Sequence, residues 1–318
     1  MYRVSTSERP CYSAEQIQKY FSHISLPQSY HQYQSFYKNP KDALDLLTRL
    51  QRHQLAAVPF ENLQLHYSNH HTISLDPEHL YTKIVEKDNR GGYCMENNCF
   101  FGTVLRMLGF SLHSAGARVS VAASGTPAEG YFGWSHMVNI VTLADGNKYM
   151  VDVGFGGNGP TQPLPLDSEH PHVKNIAPAN VRLVYDNIPE NTNRSQKLWI
   201  YQHRIDAQSP WLPMYCFTEL EFLPQDYETM NFQTSQSRTS WFTYKIVVVK
   251  MILEEGEIVG TLMLVGGDLK RRIKGRTEDL KACKTEEDRV QALEEYFGIK
   301  LGDDERAGIR GMITELCV

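Results

Sequence analysis

No two of the six cysteines in this 318-residue chain are spaced as Cys-x-x-Cys, and the gaps between them are irregular. That argues against a zinc site and against a disulfide framework in a chain this long. No stretch of 18 apolar residues occurs, so a membrane-spanning helix is not expected. The opening Met1-Tyr2-Arg3-Val4-Ser5 is polar and holds no secretory apolar region. A reducing, cytoplasmic setting with no membrane partner is the expectation. A basic excess is also missing: 32 Lys and Arg stand against 37 Asp and Glu, for a net charge of −5. Nucleic-acid binding is therefore not expected. The one dense basic cluster, Lys270-Arg271-Arg272 with Lys274 and Arg276, reads as a solvated strand or loop. There is no internal repeat and no low-complexity tract.

What is present is ordinary for a folded chain: 41% apolar and 22% charged residues. The length calls for two or three subdomains. The first third reads as helices. Ser13 and Gln16 have capping-box spacing, with Tyr12 and Ile17 placed for a hydrophobic staple. Asn39-Pro40 and Asp76-Pro77 are N-cap plus first-turn proline pairs. A further helix is predicted from about Cys94 to Leu108, with Phe101, Val104 and Leu105 on its apolar stripe and Gly109 as its stop. From about Ser111 the period changes to that of strands. Residues 111–123 read as one strand, and 136–143 and 148–155 as a hairpin around Ala144-Asp145-Gly146-Asn147. Five prolines within 158–180 predict a long surface connection. Strand-like runs follow at 181–185, 198–203 and 215–222, then a hairpin of 244–253 with 258–265. A helix capped at Thr285 closes the chain. Helices, then strands, then a mixed portion give an α+β class, with boundaries near 112 and 220.

The most informative run is Arg90-Gly91-Gly92-Tyr93-Cys94-Met95-Glu96-Asn97-Asn98. It puts a cysteine at a helix start, where backbone N–H groups favour a thiolate. A free thiol titrates near ~8.5, so a nucleophilic Cys94 needs a base, and an imidazole backed by a carboxylate is the usual solution. Among twelve histidines, His136 stands out because it opens an apolar strand. Asp152 stands out because it interrupts another, where an unpaired carboxylate would be costly. Each also has a structural reading: a buried thiol, a satisfied core histidine, an acid at a turn. The three together point to a Cys-His-Asp triad. One geometric conflict stands in the way. A tight turn centred on Asp145-Gly146 pairs Asp152 with Asn139, which puts Asp152 and His136 on opposite faces. The triad then requires a bulge, a longer loop or another register.

The Arg-Gly-Gly-x-Cys-x-Glu-x-Asn run resembles the active-site signature of the arylamine N-acetyltransferases. Val58-Pro59-Phe60-Glu61-Asn62-Leu63, Ser135-His136-Met137 and Val151-Asp152-Val153-Gly154-Phe155-Gly156 are similar to further blocks of that family, in its order. Asp226 to Asn231 and Thr239-Ser240-Trp241-Phe242 resemble a later block, except that Arg238 stands in place of the usual proline. The proline-rich connection looks like an insertion common among eukaryotic, including fungal, members. The resemblance implies a helical bundle over 1–112, an antiparallel β-barrel over 113–220 and an α/β lid over 221–318. It implies Cys94, His136 and Asp152 as a papain-like triad that transfers rather than hydrolyses. Gly133, Thr239 and Ser240 would lie along coenzyme A, Phe60 and Phe155 would line the acceptor pocket, and Glu61, Arg90 and Asn98 would support the site. No metal and no permanently bound cofactor is implied. The co-substrate would be acetyl-CoA, or malonyl- or propionyl-CoA, since some fungal members prefer malonyl-CoA. The acceptor would be an arylamine, arylhydrazine or N-hydroxyarylamine. The same three residues also serve cysteine hydrolases and transglutaminase-like enzymes, which is the alternative reading. A second alternative is a non-catalytic binding module.

Overall fold

A computed structural model describes residues 9–87, 89–125, 129–169 and 172–317. The polar opening 1–5 and Pro171 lie outside the described residues. The first helix, α1 (Ala14–His23), begins with reciprocal capping. The Ser13 hydroxyl accepts from the Gln16 N–H at 3.2 Å, and the Gln16 side chain accepts from the Ser13 N–H at 2.8 Å. Asn39 caps α2 (Pro40–Ala57) by accepting from the Lys41 N–H at 3.0 Å. A two-residue strand β1 (Phe60–Glu61) and the short helices α3 (Gln64–Tyr67) and α4 (Pro77–Tyr81) follow. Asp76 caps α4, and a wider helical turn, Thr82–Glu86, continues it. Helix α5 (Cys94–Met107) ends at Gly109, whose φ of +90° suits glycine. The apolar stripes of these helices form one core: Ile17, Tyr20 and Phe21 with Leu46, Leu47 and Leu50, and Phe100, Val104 and Leu105. Truncating a residue such as the fully buried Leu50 to alanine would cost ~2–5 kcal/mol.

Eight antiparallel strands come next: β2 (Ser111–Ser120), β3 (Tyr131–Thr142), β4 (Lys148–Val151), β5 (Leu164–Pro165), β6 (Val173–Lys174), β7 (Asn180–Asp186), β8 (Leu198–Arg204) and β9 (Leu212–Glu221). Their order, β5-β4-β3-β2-β9-β8-β7-β6, makes a nearly closed barrel filled by Val138, Ile140, Met150, Tyr201, Tyr215 and Phe217. The last portion holds α6 (Pro224–Gln236), β10 (Val247–Glu254), β11 (Glu257–Val265), β12 (Asp268–Ile273), β13 (Arg276–Ala282), α7 (Glu286–Ala292) and α8 (Asp303–Gly308). Its five-stranded sheet runs β1-β10-β11-β12-β13, so the strand just ahead of the nucleophile loop belongs to the C-terminal sheet. The class is α+β: helices, a barrel and a second sheet with helices.

Several elements differ from the sequence reading. The 158–180 segment is not purely a connection, because β5 and β6 within it extend the barrel at both edges of its strand order. The first barrel strand stops at Ser120, where a short helical turn begins, and the strand from Lys148 stops at Val151, just before Asp152. The basic cluster agrees with the reading of a solvated strand: Lys270, Arg271 and Arg272 lie on β12, where Lys270 pairs with Asp279 at 3.0 Å and Arg271 with Glu278 at 2.7 Å across the sheet. The helix capped at Thr285 does not close the chain, since α8 follows it.

Candidate active site

Cys94 is the first residue of α5 and only 4% exposed. The loop before it is pressed against neighbouring backbone. A Cβ on Gly91 would lie 1.9 Å from the Pro59 carbonyl oxygen, and one on Gly92 would lie 2.5 Å from the Glu96 Cβ. Close approach is what requires the glycine pair here. Asn97 ties the loop further, donating to the carbonyls of Pro59 at 3.2 Å and Gly92 at 2.9 Å.

The geometric conflict is removed by loop length. In the hairpin of β3 and β4, Asn139 pairs with Val151 and Thr142 with Lys148, and the Leu143 N–H reaches the Asn147 carbonyl. The loop is therefore three residues, Ala144-Asp145-Gly146, with Gly146 at φ +85°. Relative to a two-residue turn the register moves by one. Asp152 then follows on the face of Val138, two residues from His136. The His136 Nε2 lies 2.8 Å from Asp152 Oδ2, and both side chains are at most 2% exposed. A second irregularity sits at Ser135. Ala117 pairs with His136 but Arg118 with Trp134, so Ser135 is an extra, bulged residue. Its carbonyl accepts from the Cys94 Sγ at 3.6 Å. The sulfur thus lies against the residue preceding His136. A Cβ on Gly154, two residues past Asp152, would fall 2.7 Å from the Cys94 Cα.

Asp152 is held from three sides. Besides His136 it accepts from Asn98 Nδ2 at 2.9 Å and from the Gly154 N–H at 2.8 Å, both at Oδ1. Asn98 also donates to the Met137 carbonyl at 2.8 Å and accepts from the Val153 N–H at 3.0 Å. Burial alone would raise the Asp152 carboxyl, but His136, Asn98 and the Gly154 amide hold it below the ordinary carboxylate value. The His136 ring packs against Phe155 and Tyr215, with centroids at 5.3 and 4.8 Å, and those two rings touch each other at 4.8 Å. At Cys94 burial acts in the other direction and is the largest influence. It pushes the thiol up, Asp152 and Glu96 add to that, and the amides of Met95 and Cys94 pull it down. The helix start favours the anion as the sequence suggests, but burial outweighs it. A thiolate here needs its proton to move to a neighbour within the same pocket.

The remaining residues are placed as follows. Arg90 Nε lies 3.3 Å from Glu61 Oε1, and Arg90 Nη1 lies 2.7 Å from Glu305 on α8. Phe60 packs in the cluster that contains Cys94, and Phe155 packs at the barrel cluster. Gly156, the residue after Phe155, has a would-be Cβ 3.3 Å from the Phe60 ring. Gly133 is on β3, exposed, with open space where a side chain would be. Thr239 is exposed and bonds Ser237 at 2.9 Å, and the Ser240 carbonyl accepts from Thr243 at 2.8 Å. Neither is in contact with the His136–Asp152 pair. The residues after them reach the loop: Trp241 stacks on Phe242 at 4.2 Å, and Phe242 lies 5.3 Å from Tyr93. Arg238 is exposed at the end of α6. Sequence reasoning gave no role to Lys83, Glu96, Ser135 or Tyr215. Glu96 lies inside the recognised motif, which was a signal; Lys83 carried none. Among the described residues no group of His, Cys, Asp or Glu is arranged to hold a metal, and no helix is long and apolar enough to cross a membrane. None of the six cysteines is disulfide-bonded.

The N-acetyltransferase family profile matches residues 43–306. The chain is 41% identical to N-malonyltransferase FDB2 of Fusarium pseudograminearum over 321 residues, covering 94% of this chain and 93% of that one. It is 33% identical to arylamine N-acetyltransferase 2 of Mesocricetus auratus over 281 residues, 83% of this chain and 91% of the relative. Among solved structures, the Mycobacterium marinum arylamine N-acetyltransferase in complex with CoA is similar with a TM-score of 0.75 and 26% identity, covering 95% of this chain and 100% of that one. With the match spanning most of its length, the chain belongs to the arylamine N-acetyltransferase family and is an acyltransferase.

Proposed function

We propose that this enzyme moves a short acyl group from coenzyme A to an aromatic amine, hydrazine or hydroxylamine by a ping-pong route through Cys94. The observation that carries the reading is the buried His136–Asp152 contact at 2.8 Å, with the Cys94 sulfur against the Ser135 carbonyl next to it. Asp152 accepts from Nε2 and so leaves Nδ1 of a neutral His136 as the proton acceptor. The Cys94 proton passes to Nδ1, and the thiolate attacks the thioester carbonyl. Coenzyme A leaves as the thiol, taking the proton back from the imidazolium. The amine then attacks the acyl-cysteine, His136 removes the amine proton, and that proton returns to sulfur. Backbone N–H groups at the start of α5 are suited to the developing oxyanion, such donors being worth roughly 10²–10³ in rate. Aromatic amines are weak bases and remain unprotonated at neutral pH, which suits this attack.

Malonyl-CoA stands beside acetyl-CoA as donor, because similarity to an N-malonyltransferase is higher and more extensive than to the hamster relative. Phe60 and Phe155, both next to Gly156, supply an apolar wall for the aromatic acceptor. Gly133, Thr239 and Ser240 are proposed along the coenzyme, and a cytoplasmic location is proposed with them. The test is intact-protein mass spectrometry after exposure to acetyl-, propionyl- or malonyl-CoA, with peptide mapping. An adduct on Cys94, absent in Cys94→Ala and discharged by an aniline, is expected. An adduct on Cys99 instead, or cleavage of amides without acyl transfer, would overturn the assignment.

A further inference from the structure

Two residues past Cys94, the Glu96 side chain is 1% exposed and its Oε1 lies 2.6 Å from Lys83 Nζ, itself 5% exposed. The other oxygen accepts from the Tyr93 N–H at 3.0 Å. Lys83 Nζ is also 3.8 Å from Glu61 Oε1, which takes Arg90 Nε and the Gly91 N–H at 3.3 Å each. Arg90 in turn reaches Glu305. Charged groups therefore run from the partly exposed Glu305 to the interior beside the nucleophile loop, and two loop amides end on their carboxylates. Burying such pairs gains little stability over an apolar pair of the same shape, so a role in the site is the better account. The charges facing Glu96 are Lys83 from the 82–86 turn and Glu61 from β1, with Arg90 and Glu305 behind them. The charges facing Cys94 are Asp152 from the barrel, paired with His136, and Glu96 from its own helix.

We propose that Lys83 and Glu96 are positioning residues for acyl transfer: the pair fixes the Gly92–Cys94 backbone and cancels a carboxylate charge that would otherwise oppose the thiolate. This rests on Cys94 being the nucleophile. The signs follow from Coulomb's law. Glu96 alone disfavours negative charge on the sulfur, and a cation 2.6 Å from that carboxylate, Lys83, acts with the opposite sign. Removing only the carboxylate leaves an extra positive charge near Cys94, and removing only the ammonium leaves an extra negative one.

The experiment is the pH dependence of Cys94 alkylation by iodoacetamide in the full chain, followed by peptide mass. Parent, Glu96→Gln, Lys83→Met and the double variant are compared, with circular dichroism as the check on folding. The midpoint should fall by about half a pH unit or more in Glu96→Gln, roughly a 3-fold gain in thiolate fraction below it. It should rise in Lys83→Met and return toward the parent in the double variant. Glu96→Gln keeps the acceptor for Tyr93 and the side-chain shape, so it carries the test if Lys83→Met does not fold. A folded Glu96→Gln with an unmoved or raised midpoint overturns the proposal. If the parent is acylated by acyl-CoA and that midpoint still does not fall, this inference alone fails. If the parent is never acylated on Cys94, the reading beneath it fails.

Discussion

Two buried acid–base groups adjoin Cys94, and they are built differently. On the barrel, the His136 imidazole lies 2.8 Å from the Asp152 carboxylate, an arrangement suited to passing a proton. On the helical side, Lys83, Glu96, Glu61 and Arg90 form a run of ion-pair contacts between 2.6 and 3.8 Å that contains no imidazole. Burial has opposite outcomes within the second group. Arg90 and Lys83 overcome burial at Glu61 and hold its carboxyl low, whereas burial wins at Glu96 and pushes its carboxyl up despite Lys83. On the proposed mechanism the contrast separates two tasks, moving a proton and holding a loop.

The largest expected effect breaks the comparison on the proton-moving side. Asp152→Asn keeps the shape but no longer stabilises the imidazolium, and turnover in an acyl-CoA and aniline assay should fall by ~10³–10⁴. A variant that keeps a tenth of the parent rate would show that the two groups do not differ in this way. The second prediction addresses the framework. Arg90→Met leaves the fully buried Glu61 with only the more distant Lys83 as a cation and should destabilise the fold by up to ~3–5 kcal/mol in denaturant titration. Arg90→Met with Glu61→Gln should recover most of that loss, while the catalytic pH profile stays put. The third and smallest sharpens the comparison by using histidines outside both groups. Burial first of all pulls His66 and His203 down to about 4. Their folded values lie below the unfolded value near ~6.5, so the folded state binds fewer protons. Their contribution is present above ~6.5 and is lost as pH falls toward 4, amounting to ~2 kcal/mol each at pH 5. Melting temperature should drop across that window, and His66→Asn should flatten part of the drop.

Much of the fold was legible where local chemistry decides it. Ser13, Asn39 and Asp76 cap the helices their spacing predicts, and Gly109 ends α5. Strand β13 was illegible, and β12 was legible only as a solvated strand or loop, because their pairing is polar: Lys270, Arg271, Glu278 and Asp279 satisfy one another across the sheet with no apolar alternation to see. Strands β5 and β6 are too short for any period to show. At the site, the motif residues stand out by type. The charge partners of Glu96 do not, because Lys83 sits on a separate segment and only the folded chain brings it there.

The turn at residues 144–146 has a consequence for how this protein tolerates change. Its tip is exposed and its side chains touch neither His136 nor Cys94, so swapping residues there should be harmless to chemistry. Shortening it by one residue is a different matter. Parity along the hairpin would invert, the acid at 152 would turn away from the imidazole, and catalysis would be lost through counting alone, with every reactive group still present.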